Sequence, residues 1–317
     1  MYKRTTKNIC VAFACLLTLL ILYLFPKTNE KLNTYVPKTI YSVSSISDVL
    51  YTIDTKNYVS RINISLKNKD VKNKALEIIN YLTIGSNESE LLPEGFYPVI
   101  PKDTKVISCE LKDKIFSINF SKEFLNYKKD MEEKIIESLI YSLTDLKNIS
   151  GIIIKVENNI LSKLPYSNEK IYYPLDRSYG INKHYDIYNL KDTSKTTIYY
   201  ISKNNSLYYF IPVTKISNDP SDKIEIIIKE LTSNNTYDTN LMSYLNSTTT
   251  LKKYELLDKN LKLDFNNAIL SSVTNDDMLE EVTYAINLSI KNNYDVESVS
   301  YTVDNKKIAT FDLKDLE

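Results

Sequence analysis

Residues 113–125, DKIFSINFSKEFL, match residues 258–270, DKNLKLDFNNAIL, without a gap at an offset of 145 residues. Four of the thirteen positions are identical, and most of the others keep their chemical character. The flanks repeat in the same order, with Leu82-Thr83 matching Leu231-Thr232 and 156–158 matching 303–305. A period of this length indicates two tandem domains rather than a solenoid of short repeats.

Each repeat predicts the same order of elements. A hairpin comes first, within 49–66 and again within 197–214, and its turn carries Asn, which tolerates left-handed backbone angles. An amphipathic helix follows, and its predicted N-caps are Asp70 and Asp219, the latter with Pro220 at the first helical position. A second hairpin, a second helix and one final strand, 152–156 or 296–303, complete each repeat. The expected fold class is α+β, with an N-terminal transmembrane helix followed by two tandem two-layer ββαββαβ domains.

The composition excludes several kinds of site. The chain of 317 residues has one His, three Cys and four Gly, and its 40 Lys and Arg residues balance 40 Asp and Glu residues. Structural zinc sites and two-His hydrolase motifs need more ligands, and phosphate-binding loops need clustered Gly. Zero net charge argues against a nucleic-acid binder. We therefore expect no metal, no organic cofactor and no nucleic-acid partner.

The N-terminus indicates the compartment. Lys3, Arg4 and Lys7 precede the apolar run ICVAFACLLTLLILYLF at 9–25. As a helix this run extends about 26 Å, the short end of a membrane span, and the preceding positive charges favour a cytoplasmic N-terminus. An uncleaved anchor is favoured over a cleaved signal peptide and over a lipid-modified Cys15.

The chain is therefore expected to have six parts. They are a basic cytoplasmic tail 1–8, an anchor 9–25, a juxtamembrane linker 26–47, a first domain 48–164, a Tyr-rich linker 165–194 and a second domain 195–317.

The Tyr-rich linker holds Tyr172, Tyr173, Tyr179 and Tyr185. Packing of these rings against one or both domains is the favoured interpretation, and contact with a partner is the alternative. The final strands, 152–156 and 296–303, are further candidates for partner contact through a sheet edge.

Several short segments carry a family pattern. A Leu-rich helix ends at Leu82-Thr83-Ile84-Gly85, Pro101 and Thr104 lead into a strand, and the hairpin 113–125 follows. These segments resemble the GerMN domain, the sporulation and spore germination module, and the second repeat resembles it through Leu231 and Asp264-Phe265. Ser86, Asp103 and Lys114 stand where the family usually has Pro, Gly and Gly, and the second repeat lacks the Gly and the approach to the strand. The matching positions are Leu82, Gly85, Pro101, Thr104, Asp113, Phe120, Leu125, Leu231, Asp258, Asp264, Phe265 and Leu270.

The resemblance implies an exported, single-pass membrane protein of spore-forming bacteria, with its bulk in the intermembrane space of the sporulating cell. Its domains would be similar to the ring-building modules of secretion systems. The implied role is a scaffold in assembly of the complex between mother cell and forespore, and in germination, through contacts with other sporulation envelope proteins. No catalytic residues are attributed to the family. An oligomer and contact with the cell wall stay open.

An enzyme is the competing interpretation. His184 and Asp186 are candidates for a Ser/His/Asp triad, but no glycine elbow or oxyanion-hole motif accompanies them. Cys109 lies in an alternating strand without a neighbouring His or basic cluster, so a buried structural thiol is expected. The alternative to a scaffold is a peptidoglycan-binding protein, or a cell-wall hydrolase or its regulator.

Overall fold

Strands and helices follow one another in two similar rounds. In the computed structural model, which describes residues 48–205, 207–233, 241–270 and 278–316, the helices are α1 Val71–Leu82, α2 Glu132–Leu143, α3 Lys223–Thr232 and α4 Glu280–Asn293. The strands are β1 Asp48–Asp54, β2 Val59–Ile64, β3 Phe96–Tyr97, β4 Val106–Lys112, β5 Ile115–Phe120, β6 Gly151–Val156, β7 Asn159–Ile160, β8 His184–Asp186, β9 Ser194–Asn204, β10 Leu207–Ser217, β11 Leu251–Leu257, β12 Asn260–Phe265, β13 Ser298–Val303 and β14 Lys306–Asp312. Short 3-10 helices include Arg177–Tyr179 and Leu313–Leu316.

The described residues all belong to one compact unit of the chain, 43–317. The predicted anchor at 9–25 therefore lies outside the described residues. Within the described ranges, no helix is long and apolar enough to cross a membrane.

The first hairpins of the two repeats merge into one central sheet. Its order is β3-β1-β2-β10, with β9 paired along the whole of β10. Strands β2 and β10 meet at Arg61 and Phe210, and β8 runs parallel to the end of β10, from Lys215 to Ser217. The two repeats thus share a sheet, which the prediction of two separate domains did not include.

Each repeat also has an outer sheet of its own. The orders are β4-β5-β6-β7 and β11-β12-β13-β14, each with a parallel central pair between antiparallel hairpins. The prediction of one final strand per repeat was wrong, because β7 and β14 follow and pair with β6 and β13. The final strands are consequently interior strands, so they offer no free edge to a partner.

The first repeat is not a simple two-layer sandwich. Ten of the twelve residues of α2 are buried, and the helix contacts both β1 of the central sheet and β6 of the outer sheet. A helix that is buried on all sides lies between two layers rather than on the outside of one. The mixed helix-and-strand composition is confirmed, but the layering differs from the prediction.

One of the two predicted helix caps is correct. The Asp70 carboxylate accepts a hydrogen bond from the Asn73 amide at the start of α1. The second predicted cap was wrong, since α3 begins three residues later than expected and Asp222 accepts from the Ile224 amide. Asp219 instead accepts from the Ser221 amide and pairs with Lys229.

Helix side chains cover the outer edges of the central hairpins in an equivalent way. The amide of Tyr51 in β1 donates to Ser142 Oγ of α2 at 2.8 Å, and the amide of Tyr199 in β9 donates to Ser289 Oγ of α4 at 2.9 Å. The two phenol oxygens, Tyr51 Oη and Tyr199 Oη, lie 2.9 Å apart across the repeats. The duplication read from the sequence is therefore visible as equivalent contacts in the two repeats.

The C-terminal end closes onto the first repeat. The guanidinium of Arg61, in β2, donates to the carbonyl oxygen of Leu316 at 2.7 Å. Leu313 and Leu316 are both buried. The last turn of the chain is thus part of the packed structure.

Candidate functional site

The larger family-motif side chains lie in the core. Leu82 is the last residue of α1 and Leu231 the penultimate residue of α3, and Phe120 and Phe265 end the equivalent strands β5 and β12; all four are buried. Pro101 is buried, whereas Leu125 and Leu270 are half-buried. These residues contribute packing to two separate halves of the molecule and do not gather into one site.

The smaller motif positions set turns. Asp113 and Lys114, and equally Asp258 and Lys259, have positive φ angles of 50°, 62°, 45° and 62°. Two successive left-handed residues are the requirement of a type I′ hairpin turn, so Lys114 fills the place of the usual Gly without changing the turn. Gly85 also has a positive φ, of 80°. Thr104 Oγ1 donates to the Pro101 carbonyl at 2.7 Å, which closes the turn before β4.

Asp264 and its counterpart Asn119 pin the last hairpin of each repeat. Asp264 Oδ1 accepts from Thr302 Oγ1 at 2.6 Å and from the Asn305 amide at 2.8 Å. Asn119 Oδ1 accepts from the Asn158 amide at 2.8 Å. Burial opposes ionisation of Asp264, but these hydrogen bonds and nearby lysines outweigh burial and lower its pKa. The role of this carboxylate is explained by its contacts within the fold.

The first half of the Tyr-rich linker packs along the outer sheet of the first repeat. Leu175 exchanges two backbone hydrogen bonds with Ile152 of β6, at 2.8 and 2.9 Å. The Tyr173 hydroxyl donates to the carbonyls of Ile154 and Leu161, at 3.2 and 3.0 Å, and the Tyr173–Pro174 peptide is cis. This part of the linker behaves as an added segment of the sheet.

Three other linker tyrosines, Tyr172, Tyr179 and Tyr185, line a groove of about 690 Å³, which we call the tyrosine groove. Tyr172 is 79% exposed and Tyr185 is 60% exposed. Tyr179 is half-buried, with the Lys183 ammonium 3.9 Å from its ring centroid. Its walls also include Ile171, Pro174, Ile187, Leu190 and Ile216. The structure therefore brings Tyr172, Tyr179 and Tyr185 to one surface and turns the hydroxyl of Tyr173 into the fold.

Arg177 ties the linker to both repeats. Its guanidinium lies 2.7 Å from Asp145 Oδ1 after α2, and 3.4 Å from Asn292 Oδ1 of α4. The same group lies over the ring of Tyr141, 5.1 Å from the centroid. Burial opposes ionisation of Asp145, but the charge of Arg177 outweighs it and lowers the pKa of the carboxylate. An ion pair with this geometry holds the linker in place.

Asn182 fills a gap between β2 and β10. Its Nδ2 donates to the carbonyls of Val59 and Pro212, both at 2.8 Å, and its Oδ1 accepts from the Val59 amide at 3.0 Å. Proline has no N–H to give to a neighbouring strand, so direct pairing of the repeats is interrupted at Pro212. The Asn182 side chain replaces that pairing and joins the repeats through the linker.

Glu137 of α2 lies beneath this joint. It is buried, accepts from the Asn182 amide at 3.0 Å and lies 3.9 Å from the Lys183 ammonium. Burial raises the pKa of Glu137 to about 7, although Lys183 acts in the opposite direction. Sequence analysis did not identify the roles of Glu137, Arg177 and Asn182.

The residues considered for catalysis are not assembled into a triad. His184 opens β8 and is half-buried, and Asp186 forms an ion pair with Lys215 at 2.8 Å. Cys109 is half-buried in β4 rather than fully buried, and partial burial raises the pKa of its thiol against the effect of Lys72. Across the described part of the chain, no group of three His, Cys, Asp or Glu residues is arranged to hold a metal ion.

Comparison with known proteins identifies the family. The family model described as "Germane: Sporulation and spore germination" matches residues 22–162 and 197–309. The spore germination protein GerM of Bacillus subtilis (strain 168) is 32% identical over 286 residues, which cover 88% of this chain and 77% of the relative. The solved tandem GerMN domains of that organism's sporulation protein GerM superpose with a TM-score of 0.76 at 31% identity, covering 83% of this chain and 92% of theirs. None of these descriptions indicates a catalytic family. The chain therefore belongs to the Germane family of sporulation and spore germination proteins.

Proposed function

We propose that this chain is a membrane-attached extracytoplasmic scaffold that acts through protein contacts in sporulation and spore germination. Its partners are other sporulation envelope proteins, and its task is assembly of the complex between mother cell and forespore. The tyrosine groove is the single observation that best supports this role, because it presents aromatic side chains on a frame held by both repeats.

The sequence supports the compartment. The apolar run 9–25 follows three basic residues, so a single-pass anchor in the cell membrane with the bulk of the chain outside the cytoplasm fits it. In the sporulating cell this bulk occupies the intermembrane space. Similarity to a spore germination protein supports the role in sporulation and germination.

The tyrosine groove has the composition of a contact surface. Tyr and other aromatic residues are enriched at protein interfaces because one ring supplies a large contact area with few rotatable bonds. The rings of Tyr172 and Tyr185 are exposed to solvent. The contacts of Arg177 and Asn182 fix the backbone of the linker that carries them. A partner thus meets a surface that is already arranged.

The test is the count of heat-resistant spores after deletion of the coding sequence. We expect a large drop that the wild-type chain restores and the double variant Tyr172→Ala/Tyr185→Ala does not. The matched control is Tyr97→Ala/Tyr188→Ala, which removes two exposed tyrosines outside the tyrosine groove and is expected to restore the count.

Two outcomes contradict the proposal. An unchanged count after deletion argues against a role in assembly, and full restoration by the groove variant argues against this surface. Co-sedimentation of the protein with purified cell wall, or release of soluble wall fragments by it, would instead favour the wall-binding or hydrolase alternative.

A further inference from the structure

The outer sheet of the second repeat ends in an unusually exposed strand. In β11, LKKYELL, every residue from Lys252 to Leu257 is exposed, and Leu256 and Leu257 keep 56% and 54% of their surface accessible. β11 pairs with β12 on one side and is the last strand of its sheet on the other. A free edge with large apolar side chains is a template for pairing with another strand.

The side chains of β11 project from both faces of the sheet. Tyr254 and Leu256 lie beside Leu263 and Leu261 of β12, on the face that these buried leucines share. Lys253, Glu255 and Leu257 alternate to the opposite face. A strand added at this edge would therefore contact side chains of β11 on both faces of the sheet.

The sequence of β11 is self-complementary about Tyr254. When two copies run antiparallel with Tyr254 opposite Tyr254, Lys253 of each copy lies opposite Glu255 of the other. Opposite residues in an antiparallel pair share a face, so two Lys253–Glu255 ion pairs form at once. Among the described residues, neither the Lys253 nor the Glu255 side chain has a hydrogen bond or an ion pair within its own chain, although β12 places Asp264 and Lys262 opposite them.

The equivalent edge of the first repeat does not have this property. In β4, VISCELK, the same operation about Cys109 places Glu110 opposite Ser108 and Lys112 opposite Val106. No opposite charges meet in that register. The equivalent register is thus complementary in the second repeat and not in the first.

We propose that β11 is a docking edge for a second copy of this chain, in an antiparallel β11–β11 pair centred on Tyr254. The pair joins two four-stranded outer sheets into one sheet of eight strands across a two-fold axis. Such an interface is isologous, so it closes on itself and produces a dimer rather than a filament. The proposal does not depend on the proposed function in sporulation.

Disulfide formation in the full-length chain, in isolated membranes, tests the proposal. Residues directly opposite in an antiparallel pair have Cα atoms about 4.5–5.5 Å apart, within the range that a disulfide bridges. We expect Tyr254→Cys, after mild oxidation, to give a covalent dimer whose linked peptides both contain position 254. Native Cys109, at the centre of β4, is the internal control and is expected to stay unlinked.

Charge reversal tests the register. In the Tyr254→Cys background, Lys253→Glu places Glu opposite Glu in both symmetry-related pairs, and we expect about a tenfold weaker dimer, equivalent to about 1.4 kcal/mol. Adding Glu255→Lys exchanges the two charges and restores the pair. Lys307→Glu, on the far edge strand β14, makes the same charge change away from β11 and is expected to leave the cross-link unchanged.

Three results would overturn the proposal. They are a Tyr254→Cys thiol that stays free under conditions that oxidise exposed thiols, a dimer linked only through Cys109, or a Lys253→Glu effect that Glu255→Lys does not reverse. A cross-link from position 254 to a different protein would also reject the second copy as the occupant of this edge.

Discussion

Replacing Asn182 by Gly removes the side chain that joins β2 to β10. Three hydrogen bonds disappear, two to the carbonyls of Val59 and Pro212 and one from the Val59 amide. At a net value of about 1 kcal/mol for each bond, the free energy of unfolding should fall by about 3 kcal/mol. The positive φ of Asn182, 44°, suits Gly, so no backbone strain is added.

The assay is urea unfolding of the unit 43–317, followed by circular dichroism and tyrosine fluorescence because the chain has 26 Tyr and no Trp. The control is Asn126→Gly, at an exposed position, which measures the entropic destabilisation that Gly itself causes, about 0.5–1 kcal/mol. The difference between the variants isolates the three bonds. One hydrogen bond would already account for a difference of about 1 kcal/mol between the two losses in free energy of unfolding. A smaller difference would therefore refute the idea that Asn182 joins the repeats.

Three further changes have defined outcomes. Burial raises the pKa of Glu137 from 4.5 to about 7, so between these pH values the folded chain keeps a proton that the unfolded chain has released. The free energy of unfolding should therefore fall by up to about 3 kcal/mol as the pH rises from 4.5 to 7. Glu137→Gln should remove this fall in urea midpoints measured across the range. Asp264→Ala should cost about 2 kcal/mol in thermal unfolding through its two lost hydrogen bonds, whereas Asp264→Asn, which copies the first repeat, should cost less. Gly180→Ala should lower the melting temperature more than Gly85→Ala. Both glycines have a positive φ, but only a Cβ at position 180 would lie 3.2 Å from Thr214. Equal melting temperatures for the two variants would contradict this packing argument.

The repeated order of elements was predictable because it depends on local patterns. Alternation in 113–125 and its counterpart, and helical spacing before Leu82 and Leu231, are properties of short segments. The merging of the first hairpins was not predictable in this way, because the contact of Arg61 with Phe210 joins residues that are far apart in the sequence. The short strand β7 was missed because two residues carry no periodicity.

The candidate surface was predicted in part. The number of tyrosines in 165–194 indicated the linker as a candidate surface. Tyr172 and Tyr185 are exposed, whereas Tyr173 is half-buried. The sequence of an irregular segment does not reveal this difference in exposure. Pro212 was the sequence feature that could have indicated the Asn182 contact between β2 and β10. A proline within an apolar strand marks a place where a neighbouring strand lacks a donor, and the search for a substitute partner leads to Asn182.

The bond between Arg61 and the Leu316 carbonyl spans 255 positions of the chain. Because synthesis starts at the amino terminus, β2 is made long before Leu316. The first repeat therefore completes this native contact only after synthesis has reached the 3-10 helix Leu313–Leu316, and loss of that helix leaves the buried Arg61 guanidinium without this acceptor. A truncation in the second repeat would thus appear as a packing defect in a strand of the first.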